Sequence, residues 1–144
     1  MKRQFLLLIT LCISLSVLAQ GKKCSKEEFQ ERKRAYMTEK ASLTPEEADR
    51  FFPLYFELQE KKRQINGRAW HYAKEKEATA TDAEYEKIVD GFADAQIQSC
   101  TLDKEYQEKY KAFLSPKKIY QLYRAEIKFH RNMLKIMQRP DKKK

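Results

Sequence analysis

Apolar residues recur every three or four positions along three long stretches of the chain, which is the spacing of one face of an α-helix. These stretches cover positions 48–72, 85–113 and 119–137. A shorter stretch, from Ser25 to about Lys40, carries a narrower apolar stripe. No segment alternates apolar and polar residues in the manner of a β-strand. The pattern therefore predicts an all-α fold of four helices, arranged as helical hairpins.

Two similar five-residue stretches mark helix starts. They read Leu43-Thr44-Pro45-Glu46-Glu47 and Leu114-Ser115-Pro116-Lys117-Lys118. Thr44 and Ser115 are good N-caps, because their side-chain oxygens can accept hydrogen bonds from free backbone N–H groups. Pro45 and Pro116 then occupy the first helical position, where proline is favoured. Helices are predicted from these prolines to about residues 78 and 138, with a third from about residue 82 to 112.

The N-terminus has the pattern of a cleaved secretory signal peptide. Lys2 and Arg3 precede an apolar run from Phe5 to Leu18, which is short for a membrane span. We expect cleavage after Ala19, so that residues 1–19 are the signal peptide. Residues 20–144 are then one helical domain with a basic C-terminal tail. The expected location is the periplasm.

The composition is basic and poor in turn-forming residues. The whole chain has a net charge of +9, with only three Gly and four Pro. Removing the signal peptide leaves 28 basic and 21 acidic residues, a charge of +7. A basic surface favours anionic membranes, acidic proteins or nucleic acids as partners. Secretion argues against nucleic acid, so none is expected.

Cys24 and Cys100 remain after cleavage. In an oxidising compartment they can form a disulfide, within one chain or between chains. Alternatively, Cys100 is a small buried apolar residue and Cys24 is a thiol near a frayed terminus.

The sequence contains few residues suited to catalysis or metal binding. The two histidines, His71 and His130, each have a glutamate one helical turn away, but structural zinc needs four ligands and catalytic zinc three. The carboxylates are spread along helices and mostly pair with Lys or Arg at helical spacing. No Gly-rich phosphate loop is present. We therefore expect no enzyme activity, no bound metal and no cofactor.

With these helix starts the chain resembles the Spy/CpxP family of periplasmic proteins, whose signature is two L-T-x-x-Q motifs. The glutamine of the motif is Glu47 in the first copy and Lys118 in the second. The longer match is to a secreted Bacteroidetes-type branch. Its pattern is similar to Phe51-Phe52-Pro53-Leu54-Tyr55 and, later, Leu122-Tyr123-Arg124-Ala125-Glu126.

The resemblance implies a long hooked helical hairpin, often assembled as a cradle-shaped homodimer. It also implies an ATP-independent chaperone, or holdase, that binds unfolded or acidic envelope proteins under stress. The alternative is an envelope stress or metal sensor that acts through a membrane signalling protein.

Aromatic and basic residues of the second helix outside its apolar stripe are the candidate client surface. The alternative for the aromatic members is that they pack under the first and last helices. The candidate residues are Arg50, Phe52, Phe56, Lys61, Arg63, Arg68 and Trp70.

Overall fold

The computed structural model describes residues 25–137, and these form four α-helices with no strand. The all-α prediction is confirmed. The predicted signal peptide, the basic tail and Cys24 lie outside the described residues. The helices are α1 (Lys26–Ala41), α2 (Pro45–Lys76), α3 (Asp82–Lys111) and α4 (Pro116–Met137).

The chain divides into two compact units, Met1–Glu31 and Arg32–Lys144, with the boundary inside α1. In the described part of the first unit, the Glu28 N–H donates to Ser25 Oγ at 3.1 Å, so Ser25 caps the start of α1. The second unit contains the rest of α1 and the other three helices.

The predicted helix starts at Thr44 and Ser115 are confirmed. The Glu47 N–H donates to Thr44 Oγ1 at 3.2 Å, and the Thr44 N–H donates to a Glu47 carboxylate oxygen at 2.8 Å. This reciprocal pair of hydrogen bonds is a capping box. At the second copy, the Lys118 N–H donates to Ser115 Oγ at 3.3 Å. Leu43 and Leu114, which precede the two caps, are both buried.

Helices α2 and α3 form an antiparallel hairpin. Residue numbers rise along α2 and fall along α3 from one contact to the next. Phe51 packs on Tyr110, Lys62 donates a hydrogen bond to Asp103, and Trp70 packs on Phe92. Lys62 interrupts the apolar stripe of α2, and its Nζ lies 2.6 Å from Asp103 Oδ2. The interruption is therefore a cross-helix ion pair.

Helix α4 runs beside the first half of α2 in the same direction. Glu47 forms an ion pair with Lys118, and the Tyr55 hydroxyl donates a hydrogen bond to Glu126. In both contacts the two residues are 71 positions apart in the sequence, as expected for parallel helices. The two residues that replace the motif glutamines thus form an ion pair with each other. The Lys118 ammonium and the Thr44 N–H lower the pKa of the Glu47 carboxyl.

The core lies where all four helices meet. Met37 of α1, Phe51 of α2, Tyr110 of α3 and Leu122 of α4 belong to one buried cluster. Helix α2 continues through Pro53, which is solvent-exposed. We call the part of the fold around this buried cluster the proximal half; all four helices contribute to its core.

Beyond about residue 63, the hairpin carries large exposed apolar side chains. We call residues 63–100 the distal hairpin. Its exposed members include Trp70, Tyr72, Tyr85, Val89 and Ile97. Most of the buried apolar side chains thus lie at the proximal end, and few lie along the distal hairpin. The dimer implied by the resemblance stays a prediction.

Candidate functional site

The predicted client surface on α2 is only partly available to a partner. Phe52 is 1% exposed and belongs to the core cluster, so its assignment to a binding surface is wrong. The guanidinium of Arg34, on α1, lies 5.1 Å from the centre of the Phe52 ring. Phe56 is half-buried and packs against the same cluster. The alternative that these rings pack in a second layer holds for both.

The basic members of that surface have neighbours of their own. Lys61 Nζ lies 2.9 Å from Glu57 Oε1 and also donates to Tyr106 Oη, and Arg63 pairs with Glu60. These bonds to Tyr106 and Glu57 raise the pKa of the Lys61 ammonium. The pairs offset part of the positive charge locally, while the Lys61 and Arg63 side chains remain 44% and 60% exposed.

The guanidinium of Arg50 lies 4.3 Å from the centre of the Phe113 ring, near the proximal end of the fold. Arg68 is exposed on the distal hairpin. The structure therefore does not bring all seven candidate residues into one patch.

Trp70 lies in an apolar groove on the distal hairpin. Its ring centre is 4.6 Å from that of Phe92, yet its side chain is 66% exposed. The groove has a volume of about 460 Å³. The Tyr85 hydroxyl donates to the Glu77 carbonyl at 3.2 Å and so fixes the end of the groove at the α2–α3 connection. The lining residues are Trp70, Ala73, Lys74, Glu77, Tyr85, Ile88 and Phe92.

This groove can accept apolar groups of many different shapes. Its walls are aromatic and aliphatic, and its charged members, Lys74 and Glu77, have opposite signs. We call it the distal groove. Of the predicted surface residues, only Trp70 lines it; Tyr85 and Phe92 belong to the apolar stretch of α3.

A polar network joins α1, α2 and α4, and the sequence indicated only one part of it, the glutamate one helical turn from His130. Lys33 of α1 is 5% exposed, and its Nζ lies 2.9 Å from both Glu126 Oε1 and His130 Nε2. The Tyr55 hydroxyl donates to the same glutamate oxygen. Burial and the Glu126 charge raise the pKa of the Tyr55 phenol, which stays a neutral donor.

The protonation state of His130 follows from this contact. A Lys33 ammonium has only hydrogens to offer, so His130 Nε2 must be the acceptor and the ring must be neutral. Burial and the Lys33 charge lower the pKa of His130, and the Glu126 charge acts in the opposite direction. The structure therefore favours the uncharged imidazole.

Lowering the pH should weaken the fold through His130. Because its pKa in the folded state lies below the value of about 6.5 for an unfolded chain, the unfolded state binds more protons in this range. The free energy of unfolding should therefore fall as the pH drops below about 6.5, in addition to changes from other groups. Urea denaturation between pH 7.5 and 5 measures this.

His130→Gln keeps an acceptor for Lys33 but cannot titrate, so the difference between this variant and the native protein isolates the contribution of His130. His71→Gln, which changes the exposed histidine of α2, is the matched control and should behave like the native protein. Equal pH dependence in the native protein and His130→Gln would contradict the assignment.

A second cleft, of about 450 Å³, lies between α2, α3 and α4 in the proximal half. Its floor includes Phe51 and Leu122, and its rim includes the Lys62–Asp103 ion pair. The Tyr110 hydroxyl is buried in its wall without a hydrogen-bond partner among the described residues. Burial raises the pKa of this phenol. Apart from this ion pair and Glu126, most of the lining side chains are aromatic or aliphatic, which suits packing better than proton transfer.

Residues 25–137 contain no group of three or more His, Cys, Asp or Glu side chains that could hold a metal ion. Cys100 is exposed on α3, so the alternative that it is a small buried apolar residue is wrong. Its predicted partner Cys24 lies outside the described residues, so the disulfide stays a prediction. Within the same range, no helix has the length and apolar character needed to cross a bilayer.

No family model, curated protein or solved structure matches this chain. The resemblance to the Spy/CpxP family rests on sequence motifs and stays a prediction.

Proposed function

We propose that the mature protein is a secreted, ATP-independent holdase of the cell envelope, similar in action to Spy/CpxP chaperones. Its clients are unfolded or partly folded proteins with exposed apolar segments. The distal groove is the observation that carries this proposal, because it presents Trp70 to solvent beside Tyr85 and Phe92.

A contiguous patch of exposed apolar side chains often marks a place where another molecule binds. An aromatic ring buries a large apolar area with few rotatable bonds, so it binds many sequences with little loss of entropy. The distal groove has this character and lacks the buried polar groups that select one ligand. It therefore suits clients that share apolarity and not sequence.

Net charge supports the same proposal at longer range. A mature charge of +7 attracts acidic unfolded chains and raises their rate of encounter at low salt. Apolar contacts at the distal groove then hold the chain, and these contacts are not screened by salt. Capture and retention are thus separate steps with different physical causes.

Aggregation assays with reduced, unfolded α-lactalbumin test the proposal. The native protein should suppress light scattering without ATP. A Trp70→Ala/Tyr85→Ala variant should bind the client about tenfold more weakly, mainly through faster release, because two central aromatic contacts are lost. Stopped-flow fluorescence with a labelled client separates capture from release.

Leu134→Ser, on α4, is the matched control, since it removes an equally exposed apolar side chain outside the distal groove. It should bind the client as the native protein does. A native protein that fails to suppress aggregation contradicts the holdase. Full suppression by Trp70→Ala/Tyr85→Ala contradicts the distal groove.

A further inference from the structure

Helix α4 concentrates the positive charge of the protein. It carries six basic residues and one acidic residue, whereas α3 carries four basic and eight acidic residues. The one acidic residue of α4, Glu126, is already bonded to Lys33 and Tyr55. Of the basic residues, only Lys118 has an ion-pair partner within residues 25–137.

The other five basic side chains of α4 are all solvent-exposed and fall on one side of the helix. Arg124 and Arg131 are separated by seven residues, as are Lys128 and Lys135, and this spacing keeps side chains on the same helix face. The five residues are Lys117, Arg124, Lys128, Arg131 and Lys135.

An exposed apolar stripe runs beside these charges. Tyr120, Ile127 and Leu134 also recur every seven residues, and Tyr123 lies next to them. Ile127 is 58% exposed although the opposite face of α4 is buried in the core. Together with the five basic residues, these four side chains form what we call the outer face of α4.

A second copy of the chain is a poor partner for this face. Two outer faces packed together would bring Arg124 and Arg131 of both copies close to each other, with no free carboxylate on α4 to offset them. The surface of a bilayer offers both complements at once. Lipid phosphates attract the basic side chains, and the region beneath them accepts aliphatic side chains and the rings of tyrosine.

We propose that the outer face of α4 binds the surface of a bilayer rich in anionic phospholipid. The helix lies in the plane of the interface: Ile127 and Leu134 insert, the tyrosines sit at headgroup level, and the basic side chains contact phosphates. This binding does not depend on the holdase activity, because it uses a different part of the molecule.

Vesicle co-sedimentation tests the proposal. The full mature protein should bind vesicles of one part phosphatidylglycerol and three parts phosphatidylcholine, and should bind pure phosphatidylcholine far less. Arg124→Gln/Arg131→Gln should weaken binding by roughly 25-fold, since each basic residue near an anionic surface contributes about a factor of five. Ile127→Gln/Leu134→Gln should weaken it by about tenfold, because the inserted apolar area is lost.

Val89→Gln/Ile97→Gln is the matched control, because both side chains are as exposed as Ile127 but lie on the acidic helix α3. It should bind as the native protein does. Circular dichroism confirms that each variant remains helical. The altered side chains are exposed, so all three variants should fold.

A tryptophan probe locates the bound face. Trp70 is the only tryptophan, so Trp70→Phe/Ile127→Trp and Trp70→Phe/Val89→Trp each carry a single reporter. Only the first should shift its emission to shorter wavelength on anionic vesicles.

Equal binding to both vesicle types, native-like binding by the arginine variant, or an equal shift from position 89 would each overturn the proposal. So would a native dimer in sedimentation velocity that Ile127→Gln/Leu134→Gln dissociates, because a second copy would then occupy the face.

Discussion

Replacing Glu126 by leucine should destabilise the protein by about 3–5 kcal/mol, because it leaves the buried Lys33 ammonium without an anion. The Lys33 side chain is 6% exposed, and Glu126 is the carboxylate that bonds it. His130 accepts a second bond from Lys33 but carries no negative charge to offset it. Urea denaturation at pH 7 measures the loss as a lower unfolding midpoint.

The double variant Lys33→Met/Glu126→Leu separates the unpaired charge from the lost packing. Removing both partners replaces the ion pair by apolar groups of similar size, which is often nearly neutral. The double variant should therefore be more stable than Glu126→Leu alone. If the two variants unfold at the same urea concentration, Lys33 is not held in a desolvated position and the network is misassigned.

Phe51→Ala should destabilise the fold by about 3–5 kcal/mol, the usual range for removing a buried phenylalanine. Phe51 is 2% exposed, and its ring centre lies 4.8 Å from that of Tyr110 and 5.1 Å from that of Phe52. It therefore joins α2 to α3 at the place where the four helices meet. Denaturant unfolding followed by far-UV circular dichroism gives the change in free energy.

Val89→Ala is the control for this experiment, since it shortens an exposed side chain and should change stability by less than about 0.5 kcal/mol. A loss of less than about 1 kcal/mol in Phe51→Ala would mean that the core is centred elsewhere.

Helix starts were predictable because the physics that sets them is local. Thr44 and Glu47 satisfy each other's backbone groups within one turn, and Pro45 has a suitable φ whatever surrounds it. The apolar stripes of α2 and α3 were also predictable, since a regular spacing along one helix defines the face that must be covered. Both features can be inferred from a single stretch of sequence.

Contacts between distant segments were not predictable in the same way. Lys33 and Glu126 are separated by 93 residues, and nothing local identifies a lysine on a weakly apolar helix as buried. Phe52 was misassigned for the same reason: its position relative to one apolar stripe does not reveal that α1 covers its other side.

One long-range contact did have a visible indication. The two motif copies differ from the family pattern at the same position, with a glutamate in one and a lysine in the other. Opposite charges at equivalent positions are consistent with direct pairing, and Glu47 and Lys118 do pair. Lys62 was a similar indication: a charged residue that interrupts an apolar stripe needs an oppositely charged partner on the facing helix, and this partner is Asp103.

The uneven thickness of the fold, with four helices around Phe51 and two around Trp70, determines how the protein opens. Backbone amides near Phe51 should exchange with solvent only when the whole domain unfolds, whereas those near Trp70 should exchange when the two helices separate and unwind locally. Such an opening uncovers Ile88 and Ala95, which are buried between the helices at rest. Local opening of the distal hairpin should therefore expose additional apolar surface while the proximal half stays folded.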